Sequence, residues 1–126
     1  MTLAVMFSSR EAWARLAALR MPPHTAYRLL KYAKLVQAEY DVIEQQRGKL
    51  IREAAGAKEG EDVSLKSGTP EYAAFVSEFV AMLETDSDLK PCDMKLAALL
   101  DVLEKDQGNT LSAHDLAQLE PFFLEG

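Results

Sequence analysis

A twelve-residue segment near the end of the chain carries carboxylates at spacings that resemble a calcium-binding EF-hand loop. In residues 104–115, Glu104 takes loop position 1, Asp106 position 3 and Asp115 position 12. The pattern is incomplete, because Gly108 brings no side-chain oxygen to the fifth position and an asparagine replaces the glycine of the sharp turn. A glycine–asparagine turn before a serine-capped helix gives the same letters, so the segment favours a structural helix–turn–helix.

The two histidines lie far apart in the sequence, each near a predicted helix start. His24 follows two prolines, and His114 belongs to the first turn of the last predicted helix. Neither has a carboxylate at a spacing suited to a metal site, apart from the adjacent Asp115. We expect both histidines to be solvated helix-end residues.

The remaining reactive side chains form no catalytic constellation. Glu39, Asp41 and Glu44 crowd the long helix but lack the repeated Glu-x-x-His pattern of carboxylate-bridged metal bundles. Cys92 sits among apolar residues, which predicts a partly buried thiol in a reducing compartment. The sequence contains no glycine-rich phosphate loop or nucleophile elbow. We therefore expect no enzyme activity, no metal ion and no cofactor.

Charge is distributed unevenly along the 126 residues. Residues 1–34 carry six basic side chains and one acidic side chain, a net charge of +5, whereas the remainder carries 8 basic and 19 acidic side chains, a net charge of −11. The basic residues 10–34 suggest a small nucleic-acid-binding regulatory module as an alternative function. Without an aromatic-interleaved or glycine-rich motif they are more typical of a solvated face, or of a complement to the acidic part of the same molecule.

One long helix must position most of the other elements. Residues 26–55 contain no proline, and apolar side chains recur there at alternating steps of four and three, the spacing of a helix packed lengthwise on others. A helix of about 30 residues is about 45 Å long. Gly56 and the polar residues 58–62 are expected to end it. The predicted seam consists of Leu29, Ala33, Val36, Tyr40, Ile43, Arg47, Leu50 and Ala54.

Shorter elements flank this helix. The run Ser8–Ser9–Arg10–Glu11 has capping-box spacing and predicts a helix over residues 9–20, and Thr69 with Pro70 predicts the start of a third helix. Two more helices are expected over residues 96–105 and from Ser112 onward. Residues 63–66 alternate apolar and polar, so we expect them to pair with the extended segment 86–96 in an antiparallel ribbon.

The predicted fold class is therefore mainly α, a single helical domain over residues 1–126 with no signal peptide or membrane span. Its main feature is an antiparallel hairpin of the second and third helices, accompanied by short flanking helices and a small two-stranded β ribbon. Facing hairpin residues should have numbers that sum to about 125, which places Arg47 beside Glu78 and Phe79. Because an unpaired buried arginine is costly, we expect Glu78 to be its partner.

The order of these features carries a resemblance to a known family. The residues concerned are Leu16, Leu19, Pro22, Ala26, Tyr27, Glu39, Arg47, Leu50, Phe75, Glu78, Leu83, Leu116, Leu119 and Phe122. In this order the chain resembles, over most of its length, a family of small uncharacterised proteins encoded by tailed bacteriophages and prophages. The resemblance implies a phage origin, no known activity and no catalytic residue to carry over. The size and helical build are similar to those of virion accessory proteins, by analogy only.

We therefore predict a noncatalytic phage or prophage protein that acts through protein–protein contacts as a structural or assembly accessory. It would act in the cytoplasm of a bacterial host or in association with the virion. The partner would be a phage structural protein or a second copy of the chain, with nucleic acid as the alternative and no membrane. The residues expected to make these contacts are Leu30, Tyr32, Tyr40, Arg47 and Glu78, the first three because they spread apolar surface around the long helix.

Overall fold

The computed structural model describes residues 1–57 and 63–125, which are mainly helical with a small two-stranded sheet. The helices are α1 (Leu3–Ser8), α2 (Arg10–Ala17), α3 (Pro23–Ala55), α4 (Pro70–Leu83), α5 (Leu96–Leu103) and α6 (Ala113–Leu119). The strands are β1 (Cys92–Lys95) and β2 (Phe123–Leu124), and a 3-10 helix, Glu120–Phe122, leads into β2. The polar run 58–62, expected to end the long helix, lies outside the described residues.

The long helix α3 confirms the predicted periodicity. Its 33 residues begin with Pro23, where a missing backbone N–H is tolerated, and end before Gly56, whose φ of 69° lies in the left-handed region. The buried side chains recur at steps of three and four: Leu29, Tyr32, Val36, Tyr40 and Ile43. At about 1.5 Å per residue α3 is about 50 Å long, so it serves as the scaffold for the other elements.

The first residues form two short helices, α1 and α2, where the sequence predicted one. The capping box expected over the run from Ser8 to Glu11 is wrong, because Ser8 is the last residue of α1, and Ser9, which precedes α2, has helical dihedral angles and makes no side-chain cap. Its hydroxyl donates instead to the Met6 carbonyl at 2.6 Å, which leaves the Tyr40 hydroxyl to donate to Ser9 at 2.8 Å. Ser9 therefore fastens the junction of α1 and α2 to α3.

The sheet corrects the expected ribbon. β1 pairs with β2 in parallel, with Cys92 opposite Phe123 and Lys95 opposite Leu124, and residues 63–66 form no strand. The physical reason is apolar burial at the end of the chain: Phe123 is buried with its ring stacked on that of Trp13. Holding the C-terminal segment there lays its backbone along β1.

Helix α4 begins as predicted. The Thr69 hydroxyl accepts a hydrogen bond from the Tyr72 amide, and Pro70 occupies the first helical position. α4 packs against α3 in the most extensive helix pair of the described residues, with Phe75 buried. Beyond its end, the Thr85 carbonyl accepts from the Leu3 amide at 2.9 Å, which fixes α4 to the start of the chain.

Trp13 lies at the centre of the main hydrophobic core. Its ring centroid is 5.3 Å from that of Phe122 and 5.9 Å from those of Phe123 and Tyr32. The aliphatic members of this core include Met6, Leu16, Leu29, Val36, Leu99, Leu103 and Leu119. The cluster therefore joins α1, α2, α3, α5 and α6. No helix in the described ranges is long and apolar enough to cross a lipid bilayer.

Candidate functional site

Asp115 is committed to two structural contacts. One carboxylate oxygen accepts from the Arg15 guanidinium at 2.6 Å, and the other accepts from the Ser112 amide at 3.3 Å, completing the capping box of α6. Asp115 is 3% exposed. Burial alone would raise the pKa of this carboxyl, but the hydrogen bonds from Ser112 and Arg15 outweigh it and lower the pKa below its usual value. Asp115 thus joins α6 to α2.

The other carboxylates singled out in the sequence lie elsewhere. Asp106 accepts from the Gly108 amide at 2.9 Å, and Glu44 reaches Arg10 at 3.5 Å. Within residues 1–57 and 63–125, no group of three or more His, Cys, Asp or Glu side chains is arranged to hold a metal ion. His24 and His114 are exposed at the starts of α3 and α6.

Cys92 is buried at the start of β1, as its apolar neighbours predicted. Burial raises the pKa of its thiol, opposed in part by the nearby Arg28 guanidinium. Arg28 itself donates to the Asp93 backbone carbonyl at 2.6 Å. A buried thiol with a raised pKa is a weak nucleophile, so this arrangement favours a packing role.

Several basic side chains within residues 1–34 already have ion-pair or cation–π partners. Arg10 lies 3.6 Å from the centroid of the Phe7 ring and pairs with Glu44, and Arg15 pairs with Asp115 and Glu11. In the part of the chain that the structure describes, Arg20, Lys31 and Lys34 form no ion pair. The segment therefore retains positive charge, but less than the sequence count suggests.

The predicted interaction residues on α3 divide into two groups. Leu30 is exposed at 52%, as expected for a contact residue. The expectation that Tyr32 and Tyr40 spread apolar surface is wrong, because each is 7% exposed. The Tyr32 hydroxyl donates to the Lys90 carbonyl at 2.8 Å, and Tyr40 bonds to Ser9, so both hydroxyls have partners that permit burial.

The expected ion pair between Arg47 and Glu78 is also wrong. Glu78 is exposed, and Arg47 forms no ion pair with any residue in the described ranges. The Arg47 guanidinium instead lies 5.9 Å from the centroid of the Phe75 ring, within cation–π distance. Because Arg47 is only partly buried, water and the aromatic face together can solvate its charge.

An apolar cleft of about 110 Å³ opens between α2 and α3, and Leu30 stands at its edge. The buried side chains of Trp13, Leu16 and Leu29 form its floor. The other side chains that line it are also apolar: Ala17, Leu19, Met21, Ala26 and Ala33. We name this space the α2–α3 cleft. Its lining offers packing contacts and very little hydrogen bonding.

The cleft follows from the way α2 is held. Ser9 and Arg10 fix the start of α2 against α3, whereas Arg15 fixes its end to α6 through Asp115. Pro22 then forces a break before α3 begins. The cleft lies beside the end of α2 and the first part of α3, and its lining includes three alanines, which are too small to fill the space. These alanines are a sequence signal that apolar periodicity does not capture.

The connector between α2 and α3 is fixed as well. The Asn109 side chain accepts from the Arg20 amide at 2.9 Å and donates to the Arg20 carbonyl at 2.5 Å and the Leu103 carbonyl at 3.1 Å. Because Leu19 and Met21 flank Arg20, this clamp holds two lining residues in place. The cleft is therefore preformed.

No protein-family model matches the chain, and comparisons with curated proteins and with solved structures find no significant match. Any ligand of the cleft must therefore be proposed from the cleft's own residues.

Proposed function

We propose that this chain is a noncatalytic protein that acts through protein–protein contacts, and that the α2–α3 cleft receives an apolar side chain of the partner. The observation that carries the proposal is a preformed apolar cleft with the half-exposed Leu30 at its edge. Partner side chains that fill such pockets contribute a large share of binding energy at protein interfaces. Tyr32 and Tyr40 are not proposed as contact residues, because their side chains are buried.

In this proposal α3 and α4 form an antiparallel hairpin that keeps the scaffold stiff. Support comes from two contacts of α4, since Phe75 lies against Arg47, and Phe79 lies 5.5 Å from Phe7, next to the Arg10–Glu44 pair. As α4 runs from Phe75 to Phe79, its neighbours on α3 thus change from Arg47 toward Glu44, so residue numbers on the two helices run in opposite directions. The residue numbers of Arg47 and Phe75 add up to 122, whereas those of facing residues add up to about 125 in the predicted register. The two registers differ by about one helical turn.

The biological setting is proposed on the family resemblance alone. A phage or prophage accessory acting in the cytoplasm of a bacterial host, or carried with the virion, would need a small stable scaffold with one contact surface. The described residues fit that requirement through the α2–α3 cleft. Nucleic-acid binding by residues 10–34 is the alternative, and it is less favoured because Arg10 and Arg15 are paired with carboxylates.

Site-directed photo-crosslinking tests this proposal. A photoreactive amino acid at position 30 should give one discrete crosslinked protein in cells that carry the gene during phage induction. The matched control is position 53, which is exposed and lies about 35 Å further along α3. Crosslinking at position 30 but not at 53 is expected. Equal yields at the two positions, or crosslinks to nucleic acid alone, would contradict a protein contact at the cleft.

A further inference from the structure

The α2–α3 cleft lies within a stretch of sequence that carries only positive charge. Residues 12–38 contain Arg15, Arg20, Arg28, Lys31 and Lys34 and no aspartate or glutamate. All the side chains that line the cleft belong to residues 13–33, inside this stretch. Arg15 is paired with Asp115 and Glu11, so the segment that lines the cleft keeps four basic side chains without an ion pair in the described residues, in a protein whose net charge is −6.

Two of these charges belong to residues that adjoin lining residues in the sequence. Arg20 stands between the lining residues Leu19 and Met21, and Lys34 follows the lining residue Ala33. Both are exposed, and neither forms an ion pair within the described ranges. Arg20 lines a depression that also contains Lys105 and Asp106 and shares Met21 with the cleft, and Glu104 borders another depression that shares Leu19. These three neighbours together add one negative charge against the two positive charges of Arg20 and Lys34.

The charge pattern selects among possible occupants. A second copy presenting the same face would bring like charges together, which disfavours a symmetric contact through this surface. A nucleic acid would match the charge, but a cleft lined by apolar side chains offers almost no hydrogen bonds to bases or phosphates. An acidic protein segment with an apolar side chain matches both the charge and the lining.

We propose that the partner presents an acidic segment with one branched aliphatic side chain, and that this side chain enters the α2–α3 cleft. This inference rests on the proposed function. An apolar cavity of about 150 Å³ admits benzene, so a space of about 110 Å³ suits a smaller aliphatic group such as a leucine or isoleucine side chain. Arg20 and Lys34 then face the flanking carboxylates.

Trp13 gives a direct readout, because it lines the cleft and is the only tryptophan of the chain. The full chain would be titrated with three matched short peptides: one with aspartates and glutamates around a single leucine, one with that leucine replaced by alanine, and one with the acidic residues replaced by lysine. The acidic leucine peptide should change Trp13 fluorescence saturably, and each of the other two should bind about tenfold more weakly or worse. Raising the salt from about 0.05 to about 0.5 M should weaken the acidic peptide's binding.

Charge-reversal variants distinguish a loss of electrostatic attraction from a loss of folding. Lys34→Glu should weaken binding of the acidic leucine peptide about tenfold and strengthen binding of the lysine peptide. The matched control is Lys49→Glu, an equal charge reversal at an exposed position about 22 Å further along α3, which should leave both affinities unchanged. Circular dichroism of both variants should match the original chain, because both side chains are exposed.

The outcomes distinguish this inference from the proposed function. If the lysine peptide binds as tightly as the acidic one, or no peptide perturbs Trp13, the inference fails. The proposed function survives that failure if position 30 still crosslinks a protein and position 53 does not. If position 30 captures nothing either, both fail. A Trp13 response to a short DNA duplex but to no peptide would overturn the inference in favour of nucleic acid.

Discussion

Filling the α2–α3 cleft from within should stabilise the protein. Ala33→Leu adds three carbons at a partly buried lining position. At about 0.8 kcal/mol for each buried methylene, complete burial would stabilise by about 2.4 kcal/mol, and restricting the leucine side chain costs about 0.5 to 1 kcal/mol. Alanine and leucine have similar helix propensity, so the expected net gain is about 1.5 kcal/mol.

The gain can be expressed as a melting temperature. With an unfolding entropy of about 2.1 cal/mol/K per residue, 126 residues give about 0.26 kcal/mol/K, so Tm should rise by about 6 °C. Thermal melts and urea titrations followed by circular dichroism would measure both quantities. The matched control is Ala74→Leu at an exposed position of α4, where the free energy of unfolding should change by less than about 0.5 kcal/mol.

Two results would refute the reasoning. A loss of about 1 kcal/mol or more for Ala33→Leu is the usual cost of overpacking a filled core, and would mean that the space beside Ala33 is already occupied. A gain no larger than that of Ala74→Leu would mean that the added carbons stay in water. Either result would remove the geometric basis for a binding site between α2 and α3.

Three further predictions concern contacts that hold the elements together. Because the folded-state pKa of Asp115 is lowered, its contribution to stability is present above about pH 4 and is lost as the pH falls through the folded pKa. In urea titrations, Asp115→Asn should be less stable than the original chain at pH 7, and its free energy of unfolding should change less with pH across this acidic range. Equal stability of the two proteins at pH 7 would mean that the pair with Arg15 contributes nothing. Burial raises the pKa of Tyr32 to about 12, so stability should fall between about pH 10 and 12, and Tyr32→Phe should lose that slope. Asn109→Ala should cost about 1 to 3 kcal/mol in urea titrations by removing the bonds to Arg20 and should broaden the NMR signals of the connector; unchanged stability would argue against the clamp.

Local signals in the sequence predicted the helices well. The period of α3, the Thr69 cap of α4 and the capping box at Ser112 each depend on residues within a few positions of one another, and the structure has all three elements. α1 was not predicted, because six residues are too few to show a helical period. The capping box expected from Ser8 to Glu11 does not form, because α1 continues through Ser8 and the Ser9 hydroxyl bonds to the Met6 carbonyl and to Tyr40, 31 residues away.

Non-local contacts explain the remaining differences. The expected antiparallel ribbon between residues 63–66 and 86–96 rested on apolar alternation and extended character, whereas β1 pairs with a strand that Trp13 and the C-terminal aromatic residues hold in place. Tyr32 is buried because a carbonyl 58 residues away accepts its hydroxyl proton. Apolar periodicity does not predict the cleft, because residues of α2, of the connector and of α3 form it together. The acid-free run over residues 12–38 was nevertheless present in the sequence and marks the same region.

The most direct test of the cleft compares crosslinking at position 30 in three versions of the chain: the original, Ala33→Leu and Ala74→Leu. If the cleft receives the partner's side chain, Ala33→Leu should lower the crosslinked yield at least about tenfold while its Tm rises, and Ala74→Leu should leave the yield unchanged. A loss of binding in a stabilised protein cannot come from unfolding. Undiminished crosslinking by Ala33→Leu, with the cleft filled and the fold intact, would contradict the proposal that the α2–α3 cleft is the binding site.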